Sequence, residues 1–250
     1  MPGQVLLKTP SAPAPAWFDP AEAARLIADG GAIEPPISGT VYGAVLNVRR
    51  QVEQMAEAMT KTPYGAPARA PVLYIKPPNT FRPHGGVVPV PAEAEELEVN
   101  ATLAVVMGRS IGRGTEASVM EAVLGYTVAI DVCLPHASLY RPAIRHRCRD
   151  GFLPIGPWIA ARADVPDPDA LEVTVAVNGE ARSRFSTAEL VRPVARLLAE
   201  ISAFSTLHAG DVVMVGLPPD GPRARVGDTV VAEIASVGRL ACVLRSEAAA

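Results

Sequence analysis

The chain has 250 residues, 49% of them hydrophobic and 5% aromatic, and a formal net charge of -3 at pH 7. This length allows one large domain or two small ones, and the near-neutral charge argues against a nucleic-acid partner. Three cysteines without a CxxC pair favour a reducing compartment, and the absence of a signal peptide or an apolar run of about 20 residues predicts a cytoplasmic protein without a membrane span.

The first 37 residues differ from the rest and are predicted to form an arm preceding a domain over residues 38–246. The stretch TPSAPAPAWFDP is rich in proline and alanine, so we expect it to be irregular. Trp17 and Phe18 within it are predicted to anchor the arm on the body. A short helix is expected from Pro20 to Gly30.

The first half of the domain alternates predicted strands with helices. Apolar residues at positions 48, 52, 55 and 59 have helical spacing. A second helix is predicted in TEASVMEAVLG, with a capping box formed by Ser118 and Glu121 and a C-cap at Gly125. The predicted strands lie in TVYGAVLN, in VLYIKPPNTF up to its proline pair, at residues 102–107, and in YTVAIDVCL.

The second half begins with a strand that alternates from Leu171 to Val177, followed by Asn178–Gly179, a strong hairpin signal. A capping box at Ser186–Glu189 is predicted to open a helix that reaches Phe204, with a kink at Pro193. Two further strands are predicted in HAGDVVMVG and VGDTVVAEI. Many strands with few helices indicate an α+β domain.

Nine segments, in this order, resemble the fumarylacetoacetate hydrolase family and cover residues 39–241. They are AVLN, IKPPNT, LAVVMGRS, LGYTVAIDV, CRDGFLPIGP, VNGE, STAEL, ISAFSTLHAGDVVMVGLP and VGDTVVAEIASVGRL. The resemblance implies a mixed β-sandwich roll. Two further segments, SLYRPAIRHRCRDGFLPIG and LNVRRQ, are most similar to the N-terminal half, or small subunit, of the branch that isomerises and decarboxylates intermediates of 4-hydroxyphenylacetate breakdown.

The resemblance also implies a divalent metal ion, usually Mg²⁺, held by a Glu-x-Glu pair and a later Asp, ligands that suit a hard cation. Here Asn100 and Thr102 stand at the two glutamate positions, and Asp131 keeps the third. The sequence therefore predicts a degenerate metal site. Glu96 and Glu98 form another Glu-x-Glu, four residues before Asn100 and Thr102. This displaces the two glutamates by about 13 Å along the strand, so they would need a bulge to share a cation with Asp131.

Other positions of the family pattern predict the substrate site. Gln51 replaces a histidine to which the family assigns acid/base chemistry, and glutamine does not transfer protons near pH 7. Arg147 replaces a lysine and adds bidentate geometry for carboxylates. Arg147 and Lys76 are the predicted catalytic residues, although a surface role for each is an equal alternative. The predicted substrate-binding residues are Arg141, Arg145, Gln51 and Asn79.

By resemblance, the chain is expected to act on a small anionic 2-oxo acid. It would belong to the decarboxylase of 5-oxopent-3-ene-1,2,5-tricarboxylate, with the linked isomerisation of 2-hydroxyhepta-2,4-diene-1,7-dioate. One alternative is a non-catalytic partner of a paralogous, metal-dependent subunit, and another is a different 2-oxo-acid hydrolase of the family. A homodimer or a heterodimer with a paralogue is expected.

Overall fold

The computed structural model describes residues 4–11, 14–136 and 142–249, and these residues form two β-sheets and five α-helices. The strands are β1 (Val5–Leu7), β2 (Ala16–Phe18), β3 (Val41–Val45), β4 (Val72–Lys76), β5 (Phe81–Arg82), β6 (Val87–Val90), β7 (Leu97–Met107), β8 (Val123–Cys133), β9 (Leu153–Ala161), β10 (Glu172–Val177), β11 (Glu180–Ser186), β12 (Val212–Met214), β13 (Arg223–Ala224), β14 (Thr229–Ile234) and β15 (Gly238–Ser246). The helices are α1 (Pro20–Ala28), α2 (Arg49–Met59), α3 (Glu116–Glu121), α4 (Ile144–Arg147) and α5 (Val194–Ser202).

The larger sheet has ten strands in the order β2-β1-β9-β8-β7-β12-β3-β4, with β13 paired to β7 and β5 paired to β9. The smaller sheet has five strands in the order β11-β10-β14-β15-β6. Most neighbours are antiparallel, but β12 runs parallel to β3, β6 to β15 and β5 to β9. Mixed sheets with few helices confirm the predicted α+β class.

The main hydrophobic core lies between the two sheets. The central strands β7 and β8 are buried along nearly their whole length, because apolar residues occupy both of their faces. Leu103 and Ile130 from these strands pack in one cluster with Val173 and Leu240 from the smaller sheet. Each such fully buried side chain contributes about 1.5 to 3 kcal/mol to folding, so β7 and β8 are a rigid base for any side chain that they carry.

Several predicted elements are confirmed at their predicted places. The strand in TVYGAVLN is β3, and the helix with apolar residues from position 48 to 59 is α2. The β10–β11 hairpin turns at Asn178 and Gly179, which have φ angles of 52° and 80°. Positive φ at both central residues is what a type I′ turn requires.

The helix predicted in TEASVMEAVLG is shorter than expected, and both of its predicted caps are wrong. Thr115 is the N-cap residue, and its side chain accepts a hydrogen bond from the Ser118 amide at 3.3 Å. Gly125 lies inside β8 and does not end the helix. A Cβ atom at this position would be 2.0 Å from the carbonyl oxygen of Ala160, so the glycine permits close approach of β9.

The predicted capping box at Ser186 and Glu189 is present, but it caps a 3₁₀ turn. The α-helix itself starts only at Val194, after Pro193, whose ring and missing N–H are tolerated at a helix start but not within one. Phe204 lies beyond the helix and is exposed, so its predicted place on the apolar face is wrong.

The first 37 residues contain the predicted short helix, α1, and also two strands that were not predicted. Ala16–Phe18 forms β2, which pairs with β1, and β1 extends the larger sheet by pairing with β9. Asp19 caps α1 through its carboxylate, as a helix starting at Pro20 requires. In the described part of the chain, no helix is both long and apolar enough to cross a membrane.

Candidate active site

The site lies where the larger sheet curls on itself. Asn100 on β7 is directly opposite Asp131 on β8. Tyr74 and Lys76 lie on β4, which is four strands away from β8 in the pairing order. In a flat sheet this separation would be about 19 Å, yet both side chains contact Asp131. The curvature therefore gathers residues that are distant in the chain around one carboxylate.

Asp131 is buried between two cations and a tyrosine. Its Oδ1 atom is 2.5 Å from Lys76 Nζ, and its Oδ2 atom is 3.0 Å from Arg147 Nη1. The Tyr74 hydroxyl also donates a hydrogen bond to Oδ2. Burial alone would raise the pKa of the Asp131 carboxyl, but Lys76 and Arg147 together hold it below its ordinary value. Asp131 is therefore an ionised counter-charge to two cations.

Lys76 has no exposed surface, and the backbone takes all of its donors. Its ammonium group donates to the carbonyl oxygens of Val132 at 2.9 Å, Arg147 at 2.8 Å and Phe152 at 2.9 Å. An ammonium group has three N–H donors, so none is left for a substrate. Lys76 supplies positive charge and ties three segments together, but it does not line the cleft described below.

Arg147 is the predicted catalytic residue that does reach the cleft. It ends α4, and its side chain is 12% exposed. The guanidinium lies over the Tyr74 ring, 4.9 Å from the ring centroid, while Nη1 contacts Asp131. Stacking and ion pairing fix its orientation, so the group is preorganised to bind an anion.

Asn100 and Thr102 act as donors to the segment 216–221. The Asn100 amide nitrogen donates to the Pro218 carbonyl at 3.3 Å, and the Thr102 hydroxyl donates to the Gly216 carbonyl at 2.6 Å. A carboxylate at either position would face these carbonyl oxygens with another acceptor. The two neutral side chains therefore hold the segment that forms one wall of the cleft.

These residues do not fit a divalent ion. Among the described residues there is no group of three His, Cys, Asp or Glu side chains that could hold one. The alternative pair also has other partners, since Glu98 lies 3.4 Å and Glu96 3.9 Å from atoms of the Arg223 guanidinium. Lys76 and Arg147 together carry more positive charge than the Asp131 carboxylate carries negative charge, so an added divalent ion would be repelled.

A cleft of about 510 Å³ opens beside Arg147. Gln51 contributes to its wall, as predicted, but the Gln51 side-chain oxygen already accepts a hydrogen bond from the Leu46 amide at 2.6 Å. The lining residues are Gln51, Gln54, Met55, Glu98, Asn100, Pro135, His136, Arg147, Leu217, Pro218, Pro219, Asp220 and Arg223. This volume is ordinary for a small-molecule site.

The other predicted substrate-binding residues lie elsewhere. Arg145 is exposed on α4 and does not line the cleft. Asn79 donates to the Cys148 carbonyl at 3.2 Å and to the Asp150 carboxylate at 2.6 Å, which stabilises a turn. Arg141 falls outside the described residues.

Sequence reasoning missed three side chains of the site. Tyr74 has the same spacing of two from Lys76 that places residues on one face of a strand, and this signal was available in VLYIK. Arg223 and Gln54 carry no local signal, because only the tertiary fold brings their segments to the cleft.

Comparison with known proteins identifies a matching family and relatives within it. The family described as fumarylacetoacetate (FAA) hydrolase C-terminal matches residues 40–245. The 4-hydroxyphenylacetate degradation bifunctional isomerase/decarboxylase of Salmonella dublin is 38% identical over 194 residues, which are 78% of this chain and 44% of that protein. The matched part of this chain therefore covers less than half the length of that relative.

Two solved structures have the same fold. The 5-carboxymethyl-2-hydroxymuconate delta-isomerase of Mycobacterium smegmatis is 26% identical with a TM-score of 0.75, covering 98% of this chain and 92% of that one. The fumarylpyruvate hydrolase of Pseudomonas aeruginosa, solved in complex with Mn²⁺ and pyruvate, is 20% identical with a TM-score of 0.74, covering 99% and 98%. The second likeness shows the fold alone.

Proposed function

Because the chain belongs to the fumarylacetoacetate hydrolase family, we propose that it is a subunit of the enzyme that decarboxylates 5-oxopent-3-ene-1,2,5-tricarboxylate and isomerises 2-hydroxyhepta-2,4-diene-1,7-dioate. The pathway would be 4-hydroxyphenylacetate catabolism, for which the bifunctional relatives are named. The cytoplasm is the proposed compartment. The observation that carries the proposal is the preorganised guanidinium of Arg147 at the cleft.

The cleft suits a small acid with several carboxylates. Arg147 and Arg223 both line it, and a guanidinium binds a carboxylate through two parallel hydrogen bonds. Arg147 is mostly buried, so its charge acts in a medium that screens less than water. A substrate carboxylate beside it would gain more than at an exposed arginine.

The reaction proposed for this cleft needs charge stabilisation more than a nucleophile. When a β-keto-type acid loses CO₂, the electron pair of the breaking C–C bond moves into the carbonyl system and creates a dienolate. A fixed cation that is already oriented stabilises that negative charge without reorganising. We propose that Arg147 does this and that Lys76, through Asp131, keeps it in place.

Mg²⁺, which the resemblance implies for the family, has no ligand set among the described residues of this site. We therefore propose that this chain works through its own buried cations, and no step here passes through a metal ion. Should the assembly contain a divalent ion, a paralogous subunit with intact glutamates would hold it.

A second function is favoured by one specific feature. Gln51 occupies the position of the family's acid/base histidine, and its oxygen is hydrogen-bonded to the backbone. This favours a non-catalytic partner that pairs with a paralogous, metal-dependent subunit. The same feature disfavours the remaining alternative, a 2-oxo-acid hydrolase, because hydrolysis requires an activated water. Both a homodimer and a heterodimer remain proposals.

The test is a decarboxylation assay with the purified chain, alone and mixed with a paralogue, in excess chelator. We expect the chain alone to consume the tricarboxylate, because Arg147 belongs to its own cleft. If turnover appears only in the mixture and persists with an Arg147→Met variant of this chain, the non-catalytic role is correct and the catalytic proposal is contradicted.

A further inference from the structure

The proposed reaction needs a proton, because the dienolate that remains after CO₂ leaves must be protonated. Gln51 does not supply one. Three described side chains of the cleft carry a carboxyl or imidazole group, the kinds of group that serve as general acids: Glu98, His136 and Asp220. A guanidinium is not such a group. The proton donor is therefore one of these three.

Two of the three are poorly placed. Asp220 is exposed, and its carboxylate accepts a hydrogen bond from the Gln54 amide at 2.9 Å. Its carboxylate is therefore engaged by Gln54 and open to solvent, unlike a group fixed toward a bound substrate. His136 Nδ1 is 3.2 Å from the Leu134 carbonyl oxygen, which makes this nitrogen the donor of that bond. Burial lowers the pKa of His136, so the neutral ring keeps its one proton on Nδ1 and Nε2 has none to give. Nε2 is also buried, without a hydrogen-bond partner in the described part of the chain.

Glu98 is held in the cleft wall and remains accessible. It precedes Asn100 by two residues on β7, so both side chains share one face of the strand. The Asn100 amide nitrogen is 3.3 Å from Glu98 Oε1, and Arg223 Nη2 is 3.4 Å from Oε2. Its side chain is 18% exposed. A partly buried carboxyl at a cleft, fixed from two sides, has the placement of an acid/base group.

The surroundings of Glu98 raise the pKa of its carboxyl, so it keeps its proton to a higher pH than an ordinary glutamate does. Burial raises the pKa of its carboxyl above the ordinary value; Arg223, Arg147 and the Gly221 backbone amide oppose the rise, and the charge of Asp131 adds to it. Asp131, on the neighbouring strand, is held ionised by its two cations. Two nearby carboxyls shifted in opposite directions are typical of a site that separates a proton donor from a fixed charge.

We propose that Glu98 is the proton donor of this cleft and protonates the dienolate formed from a 2-oxo acid. The C–C bond breaks, its electron pair enters the conjugated carbonyl system, and CO₂ leaves. The O–H bond of Glu98 then breaks as a C–H bond forms at the far carbon of the dienolate. The Glu98 carboxylate regains its proton from water. The inference rests on the proposed function.

The test is Glu98→Gln, which keeps the shape and removes the proton. We expect kcat for formation of the 2-oxo product that is protonated at carbon to fall about 100-fold, the lower end of the contribution of general acid catalysis. Release of CO₂ precedes this step. Wild-type activity should decline as the pH rises through the raised Glu98 pKa, because the acid form is then lost, and the variant should lack this decline. In D₂O, deuterium at the product carbon should appear more slowly in the variant, in step with kcat.

Glu96→Gln is the matched control. Glu96 also contacts Arg223 but does not line the cleft, so its variant should keep wild-type kcat and the same pH profile. Thermal unfolding of both variants checks that they fold.

The proposal is overturned if Glu98→Gln keeps its kcat, or if kcat falls while the high-pH decline remains, which would indicate a structural role. Loss of the decline in His136→Asn or Asp220→Asn instead would assign the proton to that residue. If the wild-type chain shows no turnover, alone or with its paralogue, the proposed function fails as well.

Discussion

Replacing Asp131 with asparagine is expected to lower the free energy of unfolding by about 3 to 5 kcal/mol, the usual cost of leaving buried charges without their partner. Lys76 has no exposed surface and Arg147 is 12% exposed, so water cannot take over the role of the carboxylate. The Asp131 side chain is the counter-charge for both cations. Urea denaturation of wild type and variant measures the difference.

Two further variants separate the ion pair from general damage. Glu121→Gln breaks the Arg109–Glu121 pair, in which both side chains are at least 60% exposed, and should cost less than about 1 kcal/mol. Asp131→Asn should cost less in a Lys76→Met background than in wild type, because the ammonium that needs the carboxylate is then absent. A loss of under 1 kcal/mol in Asp131→Asn would contradict the described charge arrangement.

Asp131→Asn should also change how the free energy of unfolding depends on pH in the acidic range. The pKa of Asp131 is lowered in the folded state, so its contribution is complete above the ordinary carboxyl pKa. That contribution is lost as the pH falls through the lowered value. Asp131→Asn has no such group, so we expect its stability to depend less on pH over this acidic range.

Arg147→Met should lower kcat/KM for the tricarboxylate by about 10²- to 10³-fold, the effect of removing one preorganised charge-stabilising group. Folding should suffer less than in Asp131→Asn, because Asp131 keeps Lys76 as a partner. Arg147→Lys retains a charge but loses the fork geometry of the guanidinium. Its kcat/KM should therefore lie between those of wild type and Arg147→Met. Steady-state kinetics on folded protein distinguishes these outcomes.

Arg145→Met is the matched control for this series. It removes the same charge from the same short helix, α4, but from a side chain that is exposed and outside the cleft. Its kinetics should equal those of wild type. Equal losses in the Arg145 and Arg147 variants would mean that the net charge of the helix, and not the oriented guanidinium, governs activity.

The sequence predicted the position of the site better than it predicted the contacts that the site residues make. The family pattern placed Asn100, Thr102 and Asp131 at one site, and strand pairing puts Asn100 directly opposite Asp131. It also indicated that two carboxylate ligands were missing. The hydrogen bonds that these neutral residues give to Gly216 and Pro218 were not predictable, because their acceptors lie more than 100 positions away in the chain.

Lys76 and Glu98 show why charged residues are hard to place from sequence. A lysine at the end of a strand ordinarily reaches solvent, yet three distant carbonyls and Asp131 bury this one completely. The sequence pattern suggests only one role for Glu98, that of a displaced metal ligand. Its place in the cleft depends on Arg223, which the fold brings from a separate strand.

Calorimetric titration of Mn²⁺ and Mg²⁺ into the purified protein tests whether fixed cations take the place of a metal ion in this chain. We expect no saturable binding at micromolar concentrations, because the charges of Lys76 and Arg147 outweigh that of Asp131. Stoichiometric micromolar binding that disappears in a folded Asp131→Asn variant would show instead that Asp131 holds a metal ion.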